Sequence, residues 1–355
     1  MFVLPPPMPS LIALCGIVLF LVAESLPLQG EVPIRFENPV ITDDWPDPTF
    51  WFGEDGYWYS VATCLLDVKR SRDFVHWTSA GTKPQTDECK AHLDSFATSR
   101  WAPDVIKVGG GWNMYVTQFI SSDTNRLVVL TAACPQGPFR FSGIVVENWR
   151  YGIKDLGIDA EVVNDGKDLW LFSGSVAGGV FRRRLTADGL RLMPGESFVH
   201  VAGLVPKSDD RRWIYSHACY EGSYLYQRKG WWYLFVSAGS IYDGGYHLSV
   251  GRAKSVDGVF RDRAGRSLSA GGGTVILSAK KGAADFSGPG HNGEIVMSKS
   301  GRTYMFYHAL WDACPSDIRR PQGLYRPTLL QEIQWDDEDW PFFEPNMPCT
   351  SCVFR

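Results

Sequence analysis

"KGWWYLFVSAGS", residues 229–240, sets a Lys-Gly turn before a run of aromatic and β-branched residues. A run of that kind behind a glycine turn reads as the second half of a β-hairpin. Four further stretches have the same form: "DGYWYSVAT" from Asp55, "GGWNMYVTQF" from Gly110, "GKDLWLFSGS" from Gly166 and "SGRTYMFYHA" from Ser300. With 14% aromatic residues, 36 glycines and few long amphipathic helical patterns, the chain of 355 residues reads as all-β and rich in turns.

A second regularity lies upstream of each aromatic run. The segments are "DPTFWFGEDG" from Asp47, "DVIKVGGG" from Asp104, "DAEVVNDG" from Asp159, "EGSYLYQRKG" from Glu221 and "HNGEIVMSKSG" from His291. Each opens on an ionisable residue and passes through a short apolar strand into a glycine-containing turn. The starts are 57, 55, 62 and 70 residues apart. A period of that size with hairpins inside it predicts a five-bladed β-propeller, here over residues 33–348 as one domain. In a propeller the innermost strands line a central channel, so their first residues converge at one end of it.

The N-terminus stands apart. "LIALCGIVLFLV" (Leu11–Val22) is apolar throughout but short for a bilayer span, and Ala23 and Ser25 follow it. Residues 1–25 therefore read as a signal peptide, with a mature start near Leu26 and export from the cell. No Lys or Arg precedes the apolar run, so a buried segment and a retained signal-anchor remain as alternatives. One of the eight cysteines, Cys15, lies in the leader; the odd number left leaves the pairing open, and "CTSC" at 349–352 has no second CxxC to make a zinc site. A net charge of −4 shows no basic excess for nucleic acid. The expected state is a monomer without nucleic-acid or, once the leader is removed, membrane partners.

Four carboxylates and a histidine are thus predicted to ring one pocket: Asp47, Asp104, Asp159, Glu221 and His291. Any one acid beside proline, as in "WPDPTF" and "WAPDV", is an ordinary strand-entry or turn residue. Recurrence in four repeats argues for more, because clustered carboxylates raise one another's pKa unless chemistry or a cation uses them. Glycoside hydrolysis needs such a cluster: one carboxylic acid protonates the leaving oxygen, while a carboxylate activates water or attacks the sugar. The sequence has no GxSxG, Walker, HExxH or βαβ-type GxGxxG motif to compete with that reading.

From "NPVITDDWPDPTF" to "EIQWDDEDWPFF" the chain resembles glycoside hydrolase family 43, and within it the endo-acting α-1,5-L-arabinanases. "WAPDV", "GPGHN" (Gly288–Asn292) and "GRAKSVDGVFRDRAGRSLSAGGGTVIL" (Gly251–Leu277) carry the likeness. The resemblance implies inversion of configuration, with Asp47 as general base and Glu221 as general acid. Asp159 would raise the pKa of Glu221 and orient it. Inverting carboxyl pairs stand about 6.5–9.5 Å apart. His291 matches the histidine that in arabinanases lies near a channel metal ion, usually calcium held largely through water; a hydrogen-bonded channel histidine without metal is the other reading.

Three departures stand out. Ala160 follows the third carboxylate where proline is common, Gly222–Ser223 follow the acid, and "SVAGG" (Ser175–Gly179) replaces "SFWGG" and with it an aromatic wall. Trp101, Trp149 and Tyr242 are candidate sugar-stacking residues, or else core and loop packing. The leading expectation is a secreted enzyme cutting internal bonds of arabinan. An exo-acting arabinofuranosidase or β-xylosidase and a non-catalytic sugar-binding propeller are the alternatives.

Overall fold

The Lys229–Gly230 turn has φ of 45° and 74°, and the residues flanking it, Arg228 and Trp231, pair directly. Two consecutive left-handed residues are what a tight hairpin turn requires. The hairpin belongs to a four-stranded antiparallel blade, and the computed structural model contains five such blades. It describes residues 34–65, 67–95, 99–121, 124–148, 156–175, 178–204, 220–242, 244–315 and 324–354. The leader, Trp149, Val176–Ala177 and Cys219 fall outside the described residues.

Blade 1 is built from Thr49–Phe52, Trp58–Val61, Lys69–Ser71 and Thr78–Ser79, and blade 2 from Ser99–Val108, Gly111–Ser121, Thr124–Ala132 and Arg140–Asn148. Blade 3 comprises Glu161–Asn164, Leu169–Ser173, Val180–Arg184 and Val199–Ala202; blade 4 comprises Tyr220–Arg228, Trp231–Ala238, His247–Ala253 and Thr274–Ser278. In blade 5 the innermost strand is split into Phe286–Gly290 and Ile295–Met297, followed by Thr303–Trp311, Thr328–Trp335 and Pro341–Phe342. The five-bladed all-β expectation holds. A short α-helix, Asp87–Asp94, is capped by Thr86 between blades 1 and 2.

Second strands such as Trp231–Ala238 and Thr303–Trp311 are buried on both faces. That explains why they read as continuous apolar runs rather than as an alternation. Buried apolar side chains form five clusters, one at each interface between neighbouring blades. The ring closes between blades 5 and 1, where Ile34–Glu37 pairs antiparallel with Ser351–Phe354. Asn38 fastens this closure by exchanging two 2.9 Å hydrogen bonds with the backbone of Leu330. The closing strand lies past the expected domain end at Pro348, and Cys352 within it forms a disulfide with Cys349.

Each innermost strand has a left-handed residue just before it or within its first part: Asp47 (φ 53°), Ala102 (39°), Asp159 (53°), Gly222 (56°) and His291 (41°). A non-glycine residue held there costs roughly 1–3 kcal/mol and persists only where its surroundings impose it. The imposing contact recurs. Four of these residues donate their N–H to a side chain in the later part of the preceding blade's second strand or just past it. Ala102 donates to Thr63 Oγ1 (3.0 Å), Asp159 to Thr117 Oγ1 (3.1 Å), His291 to Ser237 Oγ (2.6 Å) and Asp47 to His308 Nδ1 (3.0 Å).

Thr117→Val keeps the shape of a fully buried side chain but orphans the Asp159 N–H. It is expected to destabilise the protein by about 1–3 kcal/mol in urea unfolding. Thr131→Val, which removes an exposed hydroxyl pair with Ser142, should stay within about 0.5 kcal/mol of wild type. Equal effects from the two substitutions would remove the latch from the account of the fold.

Candidate active site

The strand entries open into a cavity of about 220 Å³ at one mouth of the channel, lined by Asp47, Asp159, Glu221, His291, Trp101 and Tyr242 among others. Of the eight residues singled out in the sequence Trp149 lies outside the described ones, and six of the other seven meet here. Asp104 does not join them. The expected ring of equivalent positions is shifted in two blades: Asp104 lies two residues beyond the left-handed Ala102, and Glu221 one residue before Gly222. In both blades the pairing slips at this point, between Trp101 and Asp104 and between Glu221 and Tyr224. Asp104 follows its slip and so lies further along the channel, whereas Glu221 precedes its own and stays at the mouth.

Asp47 is the most constrained group. Its Oδ2 accepts from Thr63 Oγ1 at 2.7 Å, and its Oδ1 accepts from Arg326 Nη1 at 2.9 Å and lies 3.3 Å from His291 Nδ1. Burial alone would raise this carboxyl. The charges of Arg326 and His291 and the hydrogen bonding around it outweigh burial and hold it well below 3.8, so it is a carboxylate. His291 lies 3.9 Å from Asp159 as well. Burial disfavours its charged form, yet Asp47 and Asp159 overcome that and raise it to about 9.

Glu221 is held by hydroxyls: Tyr246 donates to Oε1 at 2.7 Å, and Ser175 bonds Oε2. Gly222 next to it tolerates φ of 56°, and a Cβ there would lie 2.8 Å from His291 Cγ. Trp101 is covered on one side by Phe119, with ring centroids 4.3 Å apart. Tyr242 is 77% exposed at the rim. Thr63, Ser175, Tyr246, His308 and Arg326 complete the site and were not singled out in the sequence. A signal for some of them existed: "SVAT", "YVTQ", "FVSA" and "FYHA" each include a residue with a polar side chain late in an apolar run.

Below the mouth, Asp104, Glu161 and Glu294 border a second cavity of about 30 Å³ that also touches His291 and Asn292. These acids join blades. Asp104 Oδ2 accepts the Val162 N–H at 2.8 Å, Glu161 Oε1 accepts the Leu225 N–H at 3.1 Å, and Glu294 Oε2 accepts from the Tyr224 hydroxyl. Burial raises Asp104 and Glu294 to about 7 each, and burial with the neighbouring acids raises Glu161 well above 4.5. Asn292 Oδ1 and Ser223 Oγ, both buried here, meet no hydrogen-bond partner. Oxygen donors of this kind suit a hard cation such as calcium. Among the described residues no three His, Cys, Asp or Glu side chains form a direct ligand set, so the fit is to an ion held through water.

Comparison with known proteins gives a consistent result. The profile of glycosyl hydrolases family 43 matches residues 36–341. An extracellular exo-α-(1→5)-L-arabinofuranosidase of Cellvibrio japonicus is 28% identical over 88% of this chain and 87% of its own. An extracellular endo-α-(1→5)-L-arabinanase of Bacillus subtilis is 28% identical over 84% of this chain and 87% of its own. Among solved structures, a Cellvibrio cellulosa α-L-arabinanase complexed with arabinohexaose shares the fold. It superposes with a TM-score of 0.70 at 24% identity, covering 85% of this chain and 96% of that one.

The two carboxylate tiers carry a pH dependence. Glu294 binds its proton more tightly in the fold, near 7, than its ordinary value of 4.5. Its contribution to stability is therefore full below about pH 4.5 and is lost as pH rises through about 7. His291 acts in the same direction at higher pH, from 6.5 up through about 9. In EDTA-treated protein the melting temperature should fall from pH 5 to 8. Glu294→Gln, which can still accept from Tyr224, should flatten that fall; identical slopes for the two proteins would contradict it.

Proposed function

The chain belongs to glycosyl hydrolase family 43, and from that premise we propose that it hydrolyses internal α-1,5-L-arabinofuranosidic bonds of arabinan outside the cell, inverting the anomeric centre. The observation that carries the reading is the unequal setting of the carboxyl groups around one cavity. Asp47 is locked as a carboxylate by Arg326, His291 and Thr63, whereas Glu221 is held by the hydroxyls of Ser175 and Tyr246. A pair with such different surroundings is suited to one base and one acid.

The roles follow. Asp47 takes a proton from a water whose oxygen bonds to the anomeric carbon on the face opposite the leaving group. The bond from that carbon to the glycosidic oxygen breaks, its electron pair stays on the oxygen, and Glu221 supplies the proton. Asp159 orients the acid and, with Asp47, keeps His291 cationic. Tyr242 and the open face of Trp101 are the sugar-stacking surfaces. Calcium in the inner cavity, held through water by Asp104, Glu161, Glu294 and Asn292 beside His291, would supply positive charge beneath these carboxylates.

Endo action is supported by Tyr242, whose exposed ring at the rim offers a face for a sugar beyond the reacting one. The exo reading is supported by the Cellvibrio japonicus relative, named an exo-arabinofuranosidase. Export is supported by the apolar Leu11–Val22 run and by relatives named extracellular.

Asp47→Asn should lower turnover by about 10²–10⁴ on every substrate. Glu221→Gln should fall comparably on debranched arabinan yet retain most activity on aryl arabinofuranosides, whose leaving groups need little proton donation. A wild-type time course on debranched arabinan should show polymer shortening before arabinose accumulates. Arabinose alone from the outset would establish the exo reading, and near-normal turnover of arabinan by Glu221→Gln would remove the acid assignment.

A further inference from the structure

The latch behind Asp47 differs from the other three. Where Thr63, Thr117 and Ser237 use a hydroxyl, blade 5 uses the imidazole of His308, which is fully buried. An N–H donated to Nδ1 requires a lone pair there, which places the His308 proton on Nε2, a buried position that meets no hydrogen-bond partner among the described residues. The 3.3 Å approach of Nδ1 to Asp47 Oδ1 is therefore not an ion pair. Burial lowers this imidazole to about 4 against the pull of the Asp47 carboxylate, and so keeps it neutral.

The ring of His308 lies against Tyr246, with centroids 5.9 Å apart and planes 5° from parallel. Tyr246 is itself 1% exposed and donates its hydroxyl to Glu221. Room for the pair is built into "GPGHN": a Cβ on Gly290 would sit 2.4 Å from the Tyr246 ring and 2.9 Å from Ser237 Oγ. One face of the stack thus ends on the backbone of Asp47 and the other on the carboxyl of Glu221.

We propose that His308 and Tyr246 are positioning residues, a stacked spacer that fixes where the general base and the general acid stand relative to each other. The inference rests on the roles proposed for Asp47 and Glu221 and extends them. His308 acts on the base, because losing its acceptor frees the Asp47 N–H and the left-handed turn that aims the carboxylate. Tyr246 acts on the acid alone through its hydroxyl, while its ring supports His308.

The test compares an alkyl or oligosaccharide substrate with an aryl glycoside of the same sugar. His308→Phe, which keeps a ring but no acceptor, should lose about 10²-fold in kcat on both substrates, with KM within about threefold. His308→Asn, whose amide oxygen can stand near Nδ1, should recover at least about tenfold of that loss. Tyr246→Phe keeps the stack and should lose about tenfold on the poor leaving group, but under about threefold on the aryl substrate. In histidine-¹⁵N-labelled protein His308 should appear as the Nε2–H tautomer. Equal losses on both substrates for Tyr246→Phe, no recovery by Asn, or an Nδ1–H tautomer would each overturn the proposal. If wild type cleaves xylosides instead of arabinosides, the substrate reading fails, and the same comparison on the xyloside pair still decides the spacer.

Discussion

The N–H of a left-handed strand entry, caught by a side chain of the preceding blade, is the contact on which both ring and site depend. It does two things at once. In four of the five blades it satisfies a backbone donor at the left-handed residue of the innermost strand, and it ties blade to blade on the channel side. The apolar clusters between blades supply most of the burial, but they are non-directional. The latches set the angle at which Asp47, Asp159 and His291 enter the cavity. Thr63 shows how closely fold and chemistry are joined, since its hydroxyl oxygen accepts from Ala102 and its proton goes to Asp47.

Charge is divided along the channel by the company each carboxyl keeps. At the mouth, Arg326 and His291 lie within reach of Asp47, and it stays ionised despite burial. Deeper down, Asp104, Glu161 and Glu294 have one another as neighbours, and burial dominates. Their oxygens instead receive backbone and tyrosine donors from adjacent blades. Carboxyl groups are thus held ionised in one tier and pushed toward the protonated form as interblade bridges in the next, about two residues along a strand being enough to change their surroundings.

Much of this was legible in the sequence. The spacing of aromatic strands and ionisable starts foretells five blades, and Asp47, Asp159, Glu221 and His291 do meet. The place of Asp104 was not legible, because a slip in strand pairing leaves no mark in composition and moves a side chain by a whole tier. Nor was Arg326, one of several arginines in this part of the sequence, which ring closure returns to Asp47 from 279 positions away. His308 was hidden for a different reason. It sits in "MFYHALW", an apolar run where a single histidine reads as a packed core residue, and its meaning appears only when "AT", "TQ" and "SA" in the other blades are set beside it.

The departures that looked like erosion of a family pattern have a local physical reason in at least one case. Gly222 follows the acid, its φ of 56° lies in the left-handed region, and the space a Cβ would need is occupied by His291. The residue after the acid and the histidine across the channel are therefore coupled by contact: His291 can lie against Asp47 and Asp159 because nothing projects from Gly222. Gly290 stands in the same relation to Tyr246. In both places the missing side chain lets a ring approach the carboxyl it serves, so the glycines belong to the electrostatics of the site as much as to its turns.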